Sequence, residues 1–174
     1  MKKIFLLAFG ILYIACFAYS KEANKKVGIK IGQLAPNIII KDTQREPQEL
    51  LKLRDKVVLI HFWASWCSHC RKENPKLVQI YKRFHNKEFT QGEDFEIFAI
   101  SMDKSEKLWK EAIKRDHLFL KYNVCDFKGW YGKYPTKYKV ESLPHNILIN
   151  GKGIVIGRNL SCKDLENKLI TLSK

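Results

Sequence analysis

The fold of this chain is decided by residues 57–70, VVLIHFWASWCSHC. The first seven residues are almost all apolar and rich in β-branched and aromatic side chains, which predicts a strand buried on both faces. Beyond residue 67 the period changes, because Leu77, Ile80 and Phe84 follow one another at three- and four-residue steps. That spacing predicts an amphipathic helix. We therefore expect a central strand at 57–63 that leads directly into a helix starting at Cys67.

Strands and helices alternate on both sides of this stretch. Upstream, residues 36–40 form a short β-like run, and residues 50–53 form a brief turn. Downstream, the predicted elements are a strand at 95–100, a helix around 108–113, a strand at 119–125, a short helix at 130–138, hairpin strands at 146–150 and 153–157, and a helix at 163–172. This order predicts an α/β sandwich in which helices flank a mixed β-sheet.

The composition fits one folded domain with a basic surface. A length of 174 residues suits a single core, and 45% hydrophobic residues with 12% aromatics exclude a disordered chain. Lysine and arginine outnumber acidic residues by 32 to 18, which gives a formal net charge of +14. The basic residues are spread along the chain without a nucleic-acid motif, so we expect a solvated basic surface and no nucleic-acid partner.

The first twenty residues have the pattern of a targeting segment. Two lysines precede an apolar run at 4–19, and Ala18 and Ser20 are the small residues that a signal peptidase reads, which predicts cleavage after Ser20. One alternative is an uncleaved membrane anchor, although the run is shorter than the about 20 residues that span a bilayer comfortably. The other alternative is a lipid attached to Cys16.

The targeting segment sets the predicted location and the domain boundaries. All three interpretations place the domain outside the cytoplasmic membrane, in the periplasm or cell envelope, where disulfides persist unless something reduces them. The predicted organisation is a signal peptide or anchor at 1–20, a linker leading into the domain at 21–31, and the folded domain at 32–174.

The chemistry is concentrated in Cys67 and Cys70. Two residues separate these cysteines at the start of a helix, so they lie one turn apart, a spacing that a disulfide can bridge. The helix dipole and the free N–H groups at the helix start stabilise a Cys67 thiolate, which predicts that Cys67 is the nucleophile. Cys70, one turn further inside, is the predicted resolving thiol. His69 lies between them and can further favour the thiolate, which would raise the reduction potential.

Two other uses of this cysteine pair are weaker. The pair could be an inert structural disulfide, or it could be half of a zinc site. Zinc takes four ligands, and the sequence contains no second closely spaced Cys or His pair. We therefore expect no metal site and no cofactor.

Residues 62–75, FWASWCSHCRKENP, resemble the active-site signature of extracytoplasmic thioredoxin-fold proteins of the TlpA/ResA type, in a form closest to Bacteroidetes-type members. The resemblance extends over nearly the whole mature chain, through residues 32–36, 99–103, 126–130 and 142–144. It implies a thioredoxin-like fold with an inserted helix around 107–117. It also implies a cis peptide bond before Pro144 that faces the cysteine pair.

The resemblance also implies roles for residues around the cysteines. The substrate-binding residues are then Trp66, His69, Leu143 and Pro144, with Pro144 contacting an extended substrate backbone. His61 occupies the place where thioredoxin has a buried acid that assists proton removal from the inner cysteine. A neutral imidazole with a pKa near the working pH could take that proton, and the alternative is a core histidine without a redox role.

Five further positions outside the cysteine motif are interpreted from their surroundings. His145 is expected at the rim of the pocket, and Asp103 either near the disulfide or as a helix cap or loop residue. His85 stands among charged residues, which predicts a surface position. Cys125 and Cys162 either form a second disulfide or stay as free thiols.

These features together predict a thiol-disulfide oxidoreductase that acts on exported proteins. The family implies a reductase supplied by a membrane electron donor of the DsbD/CcdA type, with cytochrome c maturation as one use and a membrane tether as an option. An oxidase or isomerase is the second interpretation, because of His69. A copper-binding chaperone is the third, since thiolates suit Cu(I), but the usual thioredoxin-fold copper carrier has three residues between its cysteines.

Overall fold

The computed structural model describes residues 26–174, so the targeting segment at 1–20 and the first part of the linker lie outside the described residues. Within that part of the chain, no helix has the length and apolar character needed to cross a membrane. The strands and α-helices are β1 (Ile39–Lys41), β2 (Pro47–Glu49), β3 (Val57–Trp63), α1 (Ser68–Phe84), β4 (Phe95–Ser101), α2 (Glu106–Arg115), β5 (Tyr122–Cys125), α3 (Lys133–Lys137), β6 (His145–Ile149), β7 (Val155–Arg158) and α4 (Cys162–Leu172). Two 3-10 helices span Leu50–Leu53 and Gly129–Tyr131.

The main sheet is mixed, as the sequence predicts, and has the strand order β5-β4-β3-β6-β7. β3 runs parallel to β4, and β4 runs parallel to β5. β6 is antiparallel to both β3 and β7. All seven residues of β3 are buried, which confirms it as the central strand. The arrangement is the thioredoxin-like α/β fold.

Parallel strands bring their last residues to one side of the sheet. We call this side the carboxyl end of the sheet; it contains Trp63, Ser101 and Cys125, the last residues of β3, β4 and β5. β6 begins at the same side, because His145 pairs with Phe62. The opposite side, the amino end of the sheet, contains Val57 and the other first residues of the parallel strands. The chain between β3 and α1 therefore lies at the carboxyl end.

The helix inserted between β4 and β5 is present as α2, close to its predicted position. Ser105 caps it, since the Ser105 side chain accepts a hydrogen bond from the backbone N–H of Leu108. Its buried residues Trp109, Ala112 and Ile113 recur at helical spacing, which explains why the sequence pattern located it.

Two predicted elements have wrong boundaries, and local backbone geometry explains both. The strand expected from residue 119 begins at Tyr122, because the chain turns tightly at 117–120 with Phe119 exposed. The helix expected at 130–138 is two short pieces separated by the extended residue Gly132. The two-stranded sheet of β1 and β2 is an addition, since only a β-like run at 36–40 was expected.

Residues ahead of β1 pack on the hairpin. The Gly32 N–H donates to the Val155 carbonyl and the Ala35 N–H donates to the Gly153 carbonyl, each at 2.9 Å. Ile29 is buried in the core cluster. The segment that leads into the domain is therefore held against β7 and contributes to the core.

Candidate active site

Cys67 and Cys70 form a disulfide at the start of α1. The S–S distance is 2.06 Å and the Cα atoms are 5.3 Å apart, which confirms the pairing that their spacing predicts. Cys67 is the cap residue of α1, and its Sγ accepts a hydrogen bond from the Cys70 N–H at 3.1 Å. Cys67 is 7% exposed and Cys70 is fully buried. Cys67 is thus slightly more accessible than Cys70, and the helix start supplies its sulfur with an N–H donor, an arrangement that stabilises a thiolate.

Pro144 lies at the same end of the sheet as the disulfide. The Leu143-Pro144 peptide bond is cis, as the family resemblance implies. Pro144 directly precedes β6, whose first residue pairs with Phe62 of β3, one residue before β3 ends. Leu143 is half-buried and packs on the core. The cysteine loop follows the end of β3, and the cis-proline segment precedes the start of the neighbouring strand β6. Both therefore lie at the carboxyl end of the sheet.

Trp66 and His69 are the exposed members of the predicted site. Trp66 is 56% exposed, directly before Cys67. The His69 side chain also faces solvent, and its Nε2 lies 3.6 Å from Oε1 of Glu73, one turn further along α1. His69 thus lies next to the Glu73 carboxylate on the surface of α1.

His61 is buried in β3 next to the redox helix. Among residues 26–174, neither of its ring nitrogens has a hydrogen-bond partner. Burial lowers the pKa of His61 to about 4, and the neighbouring Asn74 side chain opposes this shift while His145 adds to it. The imidazole is therefore neutral at physiological pH, as the sequence interpretation requires. The interpretation assumed a pKa near the working pH. The pKa of about 4 is well below that, which makes His61 a weaker base than a free imidazole.

Asp103 holds the loop that precedes the disulfide. Its carboxylate accepts hydrogen bonds from the Ser65 N–H at 2.9 Å and from the Ser65 hydroxyl at 2.6 Å. The Ser101 hydroxyl donates a third bond to it at 2.6 Å. Asp103 is buried and does not cap α2, since Ser105 does. Of the two roles considered from sequence, the structure shows a loop residue that ties the cysteine loop to the end of β4.

A buried ion pair, which the sequence analysis did not single out, holds the same loop from the other side. The Arg71 guanidinium pairs with the Asp116 carboxylate at the end of α2, with Nη2 to Oδ1 at 2.6 Å, and its Nη1 donates to the Ser65 carbonyl at 3.2 Å. Asn74 Nδ2 donates to Asp116 at 2.8 Å. Arg71 directly follows Cys70, but Asp116 lies 45 residues away in sequence, so no local pattern connects them.

His145 is buried at the start of β6, so the expected position at the pocket rim is wrong. Its ring packs edge-on against Phe62, with ring centroids 6.0 Å apart. Among the described residues, its Nε2 has no hydrogen-bond partner. Burial lowers the pKa of His145. The alternation of side chains along β6 explains the difference, because Asn146 and His145 point to opposite faces of a covered sheet.

Cys125 and Cys162 are free thiols, so the second disulfide is not formed. Cys125 ends the outer strand β5, whereas Cys162 follows the other outer strand, β7. Strands about 4.8 Å apart separate the two outer strands of a five-stranded sheet by about 19 Å, far beyond the reach of a disulfide. Burial raises the pKa of Cys125 to about 11, and burial also raises the pKa of Cys162.

A cluster with metal-ligand chemistry lies at the amino end of the sheet. His85 Nδ1 is 3.3 Å from Asp94 and 3.5 Å from Glu96, and Lys56 Nζ is 2.6 Å from Asp94. His85 is half-buried here, so its side chain reaches the surface only in part. The Lys56 ammonium already supplies a cation to the carboxylates, which makes this a self-compensated ion cluster.

The positions of the metal-ligand side chains also bear on the copper-chaperone interpretation. Within residues 26–174, His85, Asp94 and Glu96 are the group of three metal-ligand side chains whose donor atoms lie close together. No third ligand of this kind accompanies Cys67 and Cys70 in the part of the chain described. Cys67 and Cys70 instead form a disulfide with each other.

The comparisons with known proteins agree with this geometry. Residues 55–155 match a family described as thioredoxin-like. The thiol-disulfide oxidoreductase ResA of Bacillus thuringiensis is 32% identical over 151 residues, 84% of this chain and 82% of that protein. The solved thioredoxin domain of a thiol-disulfide oxidoreductase from Bacteroides vulgatus is 30% identical, with a TM-score of 0.74, and the match covers 83% of this chain and 98% of that one. A thiol-disulfide oxidoreductase from Bacteroides fragilis is 29% identical, with a TM-score of 0.70 over 80% of this chain and 98% of that one.

Proposed function

Because this chain belongs to the thioredoxin-like family and is a thiol-disulfide oxidoreductase, we propose that it reduces disulfides of exported proteins outside the cytoplasmic membrane. The observation that carries the proposal is the Cys70 N–H directed at Cys67 Sγ at the start of α1. A membrane donor of the DsbD/CcdA type would return electrons to the pair. The location rests on the targeting pattern at 1–20, with the folded domain at 32–174.

The proposed reaction has two exchange steps. The Cys67 thiolate attacks one sulfur of the substrate disulfide, so a Cys67–substrate bond forms, the substrate S–S bond breaks and the leaving thiolate takes up a proton. Cys70 then loses its proton and attacks Cys67 Sγ, which forms the Cys67–Cys70 bond and releases the second substrate thiolate. The substrate disulfide gains two electrons, and the cysteine pair loses two.

Substrate binding is assigned to Trp66, His69, Leu143 and Pro144. An extended substrate segment lies along Pro144, at the point where β6 begins next to the end of β3. The exposed Trp66 ring supplies apolar contact area next to the attacking sulfur. The half-buried Leu143 contributes a second apolar surface. His69, held near Glu73, contributes a polar group on the helix side.

His61 is proposed as the group that receives the Cys70 proton. It is buried, neutral at physiological pH and carries nitrogens without hydrogen-bond partners among the described residues. Its low pKa makes protonation transient, so the proton passes onward as the new disulfide forms. The test is the pH dependence of mixed-disulfide resolution in His61→Asn and His61→Phe. A profile unchanged in both variants excludes the role.

The reduction potential of the Cys67-Cys70 pair decides the direction of electron flow. A value near about −270 mV, as in thioredoxin, supports a reductase, whereas a value near about −120 mV indicates an oxidant. The measurement equilibrates the protein with glutathione buffers and traps the thiols by alkylation. The mass of the protein isolated from its host separately tests cleavage after Ser20 against an intact anchor or a lipid on Cys16.

A further inference from the structure

Two loops at the carboxyl end of the sheet, the end where the cysteine loop also lies, bring aromatic and lysine side chains together. One loop follows β4 and includes Lys104, and the other follows β5 and includes residues 126–131. They are in close contact: a Cβ on Gly129 would lie 3.2 Å from Lys104 Cε and 3.3 Å from the Met102 carbonyl. Gly129 has a φ of +56°, so this position combines a left-handed backbone with a close approach that suits glycine.

These loops connect directly to the cysteine loop. Met102 N–H donates to the Trp63 carbonyl at 2.8 Å, and the Asp103 carboxylate holds Ser65, two residues before Cys67. Cys125 Sγ lies 3.5 Å from the Asp103 carbonyl, which links the second loop to the same point. The two loops are therefore tied, through Trp63 and Ser65, to the chain segment that leads to Trp66 and Cys67.

The exposed groups on this surface are aromatic and positively charged. Tyr131 is 86% exposed and Trp130 is 42% exposed, large fractions for aromatic side chains. Lys104 Nζ stands over the Tyr131 ring, 5.2 Å from its centroid. Lys128 is exposed on the same loop. We call Lys104, Lys128, Trp130 and Tyr131 the aromatic-lysine surface.

The acidic residues nearest to this surface are already engaged. Asp103 is buried and accepts hydrogen bonds from Ser65 and Ser101. Asp126 is half-buried and accepts the Lys128 N–H at 3.0 Å. Within residues 26–174, neither Lys104 nor Lys128 has a carboxylate partner. The lysine charges therefore stay available to an external anion.

We propose that the aromatic-lysine surface binds an acidic, extended segment of the substrate protein close to the cysteine that Cys67 attacks. The proposal rests on the proposed function, because its occupant is part of a protein disulfide substrate. Carboxylates of the segment pair with Lys104 and Lys128, and its apolar side chains pack on Trp130 and Tyr131. Asp103, next to Lys104 in the chain, is bonded to Ser65, two residues before Cys67, which puts this surface within reach of an extended substrate segment bound at Cys67.

The test uses disulfide-linked peptides that differ only in the four residues beside one cysteine: glutamates, lysines or serines. We expect the protein to reduce the glutamate peptide about tenfold faster in kcat/KM than the lysine peptide at low salt, the effect of two exposed ion pairs. The preference should fall as salt rises, because exposed charges are screened. In Lys104→Gln/Lys128→Gln it should shrink below about threefold.

A matched double variant controls for net charge. Lys82→Gln/Lys168→Gln removes two exposed lysines from α1 and α4, away from the aromatic-lysine surface, and should keep the full preference. Tyr131→Ala, which removes a ring with little burial, should lower kcat/KM for the glutamate peptide by about threefold without unfolding.

The outcomes distinguish failure of the docking-surface proposal from failure of the proposed reductase function. Equal rates on the glutamate and lysine peptides, or equal loss of preference in both double variants, overturn the docking surface and leave the reductase intact. Failure to exchange even the serine peptide overturns the proposed function itself. Lysine-dependent binding to phosphatidylglycerol vesicles with no peptide preference assigns the surface to a membrane and also overturns the proposal.

Discussion

The two ends of the same sheet contain buried charge of similar kind but with different consequences. At the amino end, Lys56 pairs with Asp94 and lies 3.9 Å from Glu96, so charge is compensated within the cluster. At the carboxyl end, Arg71 pairs with Asp116 and also holds the Ser65 carbonyl of the cysteine loop. The first cluster joins only elements of the core. The second positions a reactive sulfur.

The comparison of two histidines sharpens this difference. His85 has two carboxylates and a backbone carbonyl around its Nδ1, and it stacks on Tyr81 with ring centroids 4.7 Å apart. His61 has no such charges and no hydrogen-bond partner among the described residues, and burial lowers its pKa to about 4. A buried titratable cluster by itself is therefore not evidence of a redox site. His61 differs because it lies beside Asn74, on the helix that begins at the two cysteines.

The largest expected effect comes from the two cysteines. Cys67→Ser should reduce disulfide exchange to the uncatalysed background, because it removes the attacking thiolate. Cys70→Ser should retain the first step and accumulate mixed disulfides, which non-reducing gels and mass spectrometry detect. Accumulation of mixed disulfides in Cys67→Ser would reverse the assigned roles.

The next effect compares the two ion clusters directly. Arg71→Met should lower the free energy of unfolding by about 3 kcal/mol, because it leaves the Asp116 carboxylate buried and unpaired. Lys56→Met should cost about 2 kcal/mol, since Lys56 is more exposed. Urea unfolding measures both.

The same two variants should differ in activity. Arg71→Met frees the Ser65 carbonyl and should slow exchange per folded molecule, whereas Lys56→Met should leave the exchange rate unchanged. Equal slowing in both would remove the functional distinction between the two ends of the sheet.

A smaller effect concerns the pH dependence of stability. Since the pKa of His61 is about 4 in the fold and 6.5 in the unfolded chain, the unfolded chain binds an extra proton between these pH values. The contribution of neutral His61 to the free energy of unfolding is therefore complete above pH 6.5 and is lost as the pH falls toward 4. The free energy of unfolding should fall by about 2 kcal/mol between pH 7.5 and pH 5. Urea unfolding of His61→Phe should show a correspondingly weaker loss. An identical loss in the wild type and His61→Phe would contradict the assignment.

The smallest expected effect is on the free thiols. In the native oxidised protein, iodoacetamide should label Cys162, which is half-buried, well before Cys125. Cys125 is buried and its pKa is raised to about 11 by that burial, so little thiolate is present or accessible. Peptide mapping after labelling measures the order. Protection of both thiols, with a Cys125-Cys162 peptide recovered, would show the second disulfide after all.

Much of the sheet could be predicted from local pattern. The strand at 57–63 has the predicted limits because seven consecutive buried residues leave an unbroken apolar signal. The start of β5 was predicted three residues too early because Phe119 is apolar, which favours a strand, yet it lies exposed in a turn. The burial of His145 could not be predicted because it depends on which elements cover the start of β6.

The sequence by itself determined the central strand, the helix that begins at the cysteines and the cysteine pairing, while the cis bond before Pro144 was expected only from the resemblance to a known family. These features depend on side-chain period, on a spacing of one helical turn, or on a motif confined to a few neighbouring residues. Only the tertiary structure decided that Asp116 pairs with Arg71, that burial lowers the pKa of His61 to about 4 and that Lys104 lies over the Tyr131 ring. Such contacts join residues far apart in the chain, and their energies depend on burial and on the close approach of loops, which no local pattern specifies.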